Sequence, residues 1–217
     1  LLAIDKFFSL KPSISVIIAI FNRKDELFEL LQSLSFQTDK DFEIIIVDDG
    51  SSVPLHPTAD LFKESLHIRY FRKPNSGPGL SRNYGARHAQ NDWLVFVDSD
   101  VIVEKNYIEN IRKDILSTPC DAFGGADKAH RGFNLMQKAI SYSMTSVFTT
   151  GGIRGNKKAV TRFQPRSFNM GVRKTAFQQV GGFSEMRIGE DPDLSMTLWE
   201  HGFRTAFFDN IGVYHKR

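Results

Sequence analysis

Only one cysteine, Cys120, occurs in the 217 residues. No disulfide can close within the chain and no thiolate cluster can hold a metal. That usage fits a reducing compartment, so the expected address is cytoplasmic. Long apolar runs are missing too. The longest apolar stretch, Ile14 to Phe21, falls far short of the roughly 18 residues that cross a bilayer, and no charged-then-apolar leader opens the chain. The expectation is a chain that neither spans a membrane nor carries a secretory signal, with peripheral attachment to the inner face of a membrane still compatible. An excess of one charge is lacking: 28 Lys+Arg against 25 Asp+Glu leave a net of +3, which gives nucleic-acid binding no support. Internal repeats and low-complexity segments are also lacking. What is present is 41% hydrophobic and 12% aromatic residues, enough for one compact domain and too apolar for a disordered chain.

Ile14-Ser15-Val16-Ile17-Ile18-Ala19-Ile20 is a nearly unbroken β-branched run, the pattern of a parallel strand covered on both faces. Beyond Asn22, Leu27, Leu30, Leu31 and Leu34 recur at helical spacing, with Asp25 and Glu26 near the positive end of the helix dipole. The unit repeats. Strands are expected over Phe42–Val47, His67–Phe71 and Trp93–Val97, with helices over Thr58–Ser65 and Leu80–Ala89. Tyr107, Ile108, Ile111 and Ile115 mark a further helix, and Cys120–Phe123 a short strand. This alternation predicts an α/β fold with a Rossmann-like, mostly parallel sheet and helices on both faces.

The second half is less regular. A helix is expected over Phe133–Phe148 and a loop over Thr149–Arg166 carrying Arg154, Lys157, Lys158, Arg162 and Arg166. A basic loop of this length suits a mobile cover over an acceptor. A strand over Phe168–Val172 and a helix over Lys174–Val180, closed by Gly181-Gly182, follow. Asp191-Pro192 reads as the cap and first-turn proline of a helix ending at Gly202, and Arg204–Phe208 and Val213–His215 as two short terminal strands.

Ligands of such sheets bind beyond the strand C-termini, and polar clusters stand there: Asn22, Asp48-Asp49-Gly50-Ser51 and Asp98-Ser99-Asp100. Each alone is ordinary turn chemistry. Together they suggest a crevice in which carboxylates hold a hard cation such as Mg2+ or Mn2+ and Asp49 meets a base or ribose. The loop Asn75-Ser76-Gly77-Pro78-Gly79 enters a helix with Ser81 near its cap and Arg82 one residue on. No Gly-Lys-Ser/Thr follows, so it is not a Walker A loop. Gly189-Glu190-Asp191-Pro192 puts acids at a helix start, where a carboxylate either caps or serves as a general base.

In this order and spacing, Ile17-Ile18-Ala19-Ile20-Phe21-Asn22, Val47-Asp48-Asp49-Gly50-Ser51, Gly77-Pro78-Gly79 to Arg82-Asn83-Tyr84-Gly85, Asp98-Ser99-Asp100, Asn169-Met170-Gly171, Val180-Gly181-Gly182-Phe183 and Gly189-Glu190-Asp191 resemble the family 2 glycosyltransferases. The resemblance runs from about Ile14 to His215. It implies the A-type glycosyltransferase fold, an inverting mechanism, a nucleotide-sugar donor with UDP-sugars favoured, a glycan or lipid-linked acceptor, and a divalent cation, Mn2+ or Mg2+. It also implies roles. Asn22 and Asp49 would help hold the nucleotide, Arg82 would line the donor site, and Asp98 would approach the ribose or the metal. Asp100 would ligate the metal, with His215 completing its site. Asp191 would be the catalytic base, and Asn169 and Glu190 are candidates on the acceptor side. The processive synthases of the family carry a Gln-x-x-Arg-Trp motif that this chain does not show, which favours single-sugar transfer.

The expected organisation is one catalytic domain over residues 1–217, with a leader over 1–12, a nucleotide-sugar-binding half over about 13–125 and an acceptor and base half over about 126–217. A longer native chain past Arg217, membrane segment included, is compatible with it. Two other readings stay open. In an Asp-x-Asp phosphatase Asp98 would be the nucleophile, although such enzymes use an early strand and this motif follows the fourth. A non-catalytic sugar- or nucleotide-binding module would keep the fold without the chemistry. A dinucleotide oxidoreductase is weaker, because Ile20-Phe21-Asn22-Arg23 stands where a Gly-x-Gly-x-x-Gly turn belongs.

Overall fold

The computed structural model describes residues 11–128 and 162–215. The helix expected over Phe133–Phe148 and most of the loop Thr149–Arg166, with Arg154, Lys157 and Lys158, lie outside the described residues. So does nearly all of the expected leader.

Four parallel strands form the first half of the sheet: β1 (Ile14–Ile20), β2 (Glu43–Asp48), β3 (His67–Arg72) and β4 (Trp93–Asp98), in the order β3-β2-β1-β4. Every residue of β2 is buried, as are all but one of β1. That is why these strands read as continuous apolar runs and not as alternating ones. Pairing β1 with its neighbours sets Ala19 opposite Asp98 and Ile20 opposite Asp48. The register therefore gathers the polar residues that follow β1, β2 and β4 along one edge.

Helices cover both faces, as expected. On one face α1 (Lys24–Ser35) buries Leu27, Leu30, Leu31 and Leu34, and α4 (Tyr107–Ser117) buries Ile108 and Ile111. Each such Leu contributes about 1.5–3 kcal/mol when withdrawn from water. On the other face lie α3 (Pro78–His88), α5 (Lys174–Gln179) and α6 (Glu190–Glu200), with Ala86, Phe177, Leu194 and Leu198 in the core. Gly85 lets α3 sit close on the sheet, because a Cβ there would come within 2.6 Å of Ile17 Cγ2. That close seat fixes Arg82, one turn earlier on the same helix. A short α2 (His56–Asp60) starts two residues before the expected Thr58. No helix among the described residues is long and apolar enough to cross a membrane.

The second half departs from a purely parallel sheet. Beyond β4 come β7 (Asn169–Arg173), β6 (Ala122–Lys128), β8 (Thr205–His215) and β5 (Val101–Val103), with β7 antiparallel to both β4 and β6. The two short terminal strands expected near the C-terminus are one continuous strand of 11 residues, β8. It pairs parallel with β6, passes a register shift at Gly125/Asp127, and ends antiparallel to β5. β5 has only three residues, too few to show a period in the sequence.

Two helix starts also differ from expectation. Gly189, at φ 89°, is the residue before α6, and no side chain caps that helix. Asp191 therefore lies inside the first turn and is not the cap. Left-handed glycine backbone makes the entry turn that a capping carboxylate would otherwise support. Likewise α3 begins after Gly77, and Ser81 lies within the helix, donating its hydroxyl to the Gly77 carbonyl at 2.8 Å.

Candidate active site

At the sheet edge β4 ends with Asp98, the chain turns through Ser99 and Asp100, and β5 begins at Val101. Val101 pairs with His215, so the last residue of β8 is brought beside that turn. Ligand atoms of Asp98, Asp100 and His215 all lie within 4.8 Å of one another. His215 Nε2 stands 3.1 Å from Asp100 Oδ1, and Nδ1 faces Asp127 Oδ2 at 3.8 Å. Burial opposes a charge on this imidazole, but the hydrogen bonds to Asp100 and Asp127 outweigh it and raise the pKa to about 9. For Asp100 burial works toward a raised value, while His215 and the nearby Arg23 guanidinium hold it below the usual carboxylate value. Two carboxylates and one imidazole form a mostly oxygen donor set that fits a divalent cation such as Mn2+ or Mg2+. Asp127 stands behind His215 as carboxylates commonly do behind metal-bound histidines, orienting the ring.

Arg82 joins this corner to the opposite half of the chain. Its Nη2 donates to Asp98 Oδ1 at 2.7 Å and its Nη1 to Glu190 Oε1 at 2.9 Å. The guanidinium also stands over the Phe183 ring, 5.5 Å from the centroid. Arg82 is only 5% exposed. Burial disfavours its charge, yet the two carboxylates more than compensate and raise its pKa. Glu190 is thus engaged in an ion pair through Oε1. Asp191, next along the first turn of α6, receives the Ser167 amide on Oδ2 at 3.2 Å and faces Arg166 Nη1 from Oδ1 at 3.6 Å.

At the end of β2, Asp49 is buried and holds the loop before α3. It accepts from the Ser76 amide at 2.9 Å, the Gly77 amide at 2.8 Å and the Lys73 ammonium. Asn22, at φ 54°, accepts the Ser52 amide on Oδ1 at 2.7 Å, and its own amide donates to Ser51 Oγ at 2.9 Å. Asp49 and the Gly77 that it holds line a cleft of about 320 Å³ together with Ile20, Phe21, Pro78 and Arg187, and Asn22 follows Phe21 in the chain.

Asn169 is a sequence candidate that the structure places in the core. It is 1% exposed, accepts from the Tyr107 hydroxyl at 2.7 Å and donates to the Ile211 carbonyl at 2.6 Å. Its amide is a core tie between β7, α4 and β8. Sequence reasoning missed Arg23 and Asp127 and took Arg166 only as one cation of the basic loop; each of the three pairs with a candidate residue. Arg23 had a local signal in following Asn22 at the strand end. Asp127 and Arg166 had none, since their partners lie far along the chain.

The sequence model of the family described as "Glycosyl transferase family 2" matches residues 15–181. An uncharacterised glycosyltransferase of Rickettsia felis is 41% identical over 96 residues, which cover 44% of this chain and 16% of that protein. The chain therefore spans a minor part of that relative's length. Among solved structures, S. aureus TarS 1–349 in complex with UDP superimposes with a TM-score of 0.74 at 22% identity, covering 94% of this chain and 60% of TarS. The mannosyltransferase PcManGT from Pyrobaculum calidifontis, in complex with GDP-Man and Mn2+, gives a TM-score of 0.71 at 15% identity, covering 95% of this chain and 57% of PcManGT. Both share the fold.

Proposed function

The chain belongs to glycosyltransferase family 2, and we propose that it moves a sugar from a nucleotide-diphosphate donor, a UDP-sugar by preference, to a hydroxyl of a glycan or lipid-linked acceptor. Transfer inverts the anomeric carbon and depends on Mn2+ or Mg2+. The observation that carries this reading is the convergence of Asp98, Asp100 and His215 within 4.8 Å, linked through Arg82 to the helix turn that bears Asp191. UDP in TarS and GDP-Man with Mn2+ in PcManGT support the donor class and the cation.

Asp98, Asp100 and His215 would hold the cation, which when bound offsets charge on the departing diphosphate. Asn22 and Asp49 shape the nucleotide cleft, and Arg82 holds the Asp98 carboxylate in position. Asp191 takes the proton from the acceptor hydroxyl as that oxygen attacks the anomeric carbon, with the Ser167 amide and Arg166 holding the carboxylate in place. No covalent intermediate is needed, so positioning and electrostatics supply most of the rate. The phosphatase reading is disfavoured by Asp98, whose carboxylate is engaged by Arg82. A cytoplasmic setting in glycan biosynthesis, with peripheral contact to a membrane when the acceptor is lipid-linked, completes the proposal.

The test is a panel of UDP- and GDP-sugars, each with Mn2+, Mg2+ or EDTA, followed by thermal stabilisation and slow donor hydrolysis. One donor should raise the melting point and be hydrolysed only when metal is present. A panel with no metal-dependent response would refute the assignment.

A further inference from the structure

Among the described residues three cations neutralise the carboxylates of the metal corner, and they differ in freedom. Arg82 pairs with Asp98, His215 with Asp100 Oδ1 and Arg23 with Asp100 Oδ2 at 2.9 Å. The side chains of Arg82 and His215 are 6% and 13% exposed, whereas that of Arg23 is 49% exposed. Arg82 is also tied to Glu190, and His215 is fixed in β8. Arg23 is the member of the three with room to swing.

Its backbone, by contrast, is held. The preceding Asn22 is clamped to Ser51 and Ser52 by two hydrogen bonds, and Arg23 itself is the residue immediately before α1. A long side chain is thus anchored at the sheet edge between the nucleotide cleft and the metal corner. A divalent cation on Asp100 competes with the Arg23 guanidinium for the same carboxylate, because the two positive charges repel. The displaced fork then lies beside the place where a diphosphate meets the metal, and paired phosphate oxygens match its geometry.

Resting on the donor reading above, we propose that Arg23 is a donor-contacting residue that exchanges Asp100 for the diphosphate. Before loading it stands in for the metal on Asp100. After loading it clasps the phosphate oxygens and adds to the charge stabilisation of the leaving group. Arg23 therefore opposes metal binding on its own and favours the metal with its nucleotide, which makes the two ligands cooperative.

The experiment compares wild type, Arg23→Gln and Arg23→Lys in two titrations. Mn2+ alone is followed by the electron paramagnetic resonance of the free ion, and UDP and GDP are titrated calorimetrically at saturating Mn2+. For Arg23→Gln, Mn2+ alone should bind on the order of two- to fivefold more tightly, since a partly exposed ion pair no longer competes. The nucleoside diphosphate should bind about tenfold more weakly, through loss of a charge-assisted contact. Arg23→Lys should fall between, keeping the charge without the fork. Both affinities unchanged, or both shifted in the same direction, would overturn the exchange and leave Arg23 as an anchor of the turn. A wild type that binds neither Mn2+ nor nucleotide would overturn the donor reading and this inference with it. Normal wild-type binding with an unmoved variant would remove the inference alone.

Discussion

Arg82 and Glu190 form a 2.9 Å ion pair across the two halves of the chain, with both residues almost excluded from solvent. The same guanidinium reaches Asp98 at the end of β4. Helix α3 thus locks the carboxylate edge of the sheet to the first turn of α6, the turn that carries Asp191.

Removing that guanidinium should be costly. Arg82→Met leaves Glu190 and Asp98 without their shared counterion, and breaking a buried pair in this way costs about 3 kcal/mol or more. At the size of this chain that corresponds to a fall in melting temperature of roughly 6–12 °C. Arg82→Lys, which keeps one charge but cannot fork, should lose less. Calorimetric melting of the three proteins decides the matter; a Met variant within about 1 kcal/mol of wild type would mean that the triad contributes little.

Asp191→Asn is expected to leave donor affinity close to wild type and to lower transfer by roughly 10²-fold or more, because it removes a base and not a donor contact. Stability should change little, since α6 is not capped by this side chain. The amide oxygen can still accept from Ser167. Turnover near normal at saturating acceptor would point to another base.

His215 gives a pH dependence whose sign follows from its surroundings. Its pKa rises from the ordinary 6.5 to about 9, so the imidazole is protonated at neutral pH. The pairing with Asp100 and Asp127 therefore contributes stability that is fully present below the ordinary value and is lost as pH rises through about 9. A metal bound at this nitrogen must displace the proton. Mn2+ affinity should then increase by about tenfold per pH unit on approach to that value, with close to one proton released per ion near pH 7.5. Calorimetry in buffers of different ionisation enthalpy measures the release. No proton released would take His215 out of the ligand set.

The parts legible in the sequence were those set by local pattern. The β-branched run of β1 and the Leu27, Leu30, Leu31, Leu34 spacing of α1 fix their elements through burial alone, and Asp98-Ser99-Asp100 stands where a buried strand ends. The position of His215 beside Asp100 depends instead on the pairing of β8 with the three-residue β5, a contact without local signature. The reversed direction of β7 was equally hidden, since a buried strand is apolar whichever way it runs. Asn169 shows the converse difficulty. A polar residue in a motif has the same letter whether it faces a ligand or, as here, ties Tyr107 to Ile211. Asp191 looked like a cap because Asp-Pro so often opens a helix, and the left-handed Gly189 that replaces the cap leaves little trace in sequence.

The most direct measurement is a titration of UDP into wild type and Asp100→Ala, each with and without Mn2+, with circular dichroism confirming that both are folded. Asp100 lies at a partly hydrated edge and not in the apolar core, so its removal should spare the fold. The account predicts nucleotide binding that Mn2+ strengthens in wild type and no longer strengthens in the variant. Equal affinities in both proteins, insensitive to metal, would contradict it.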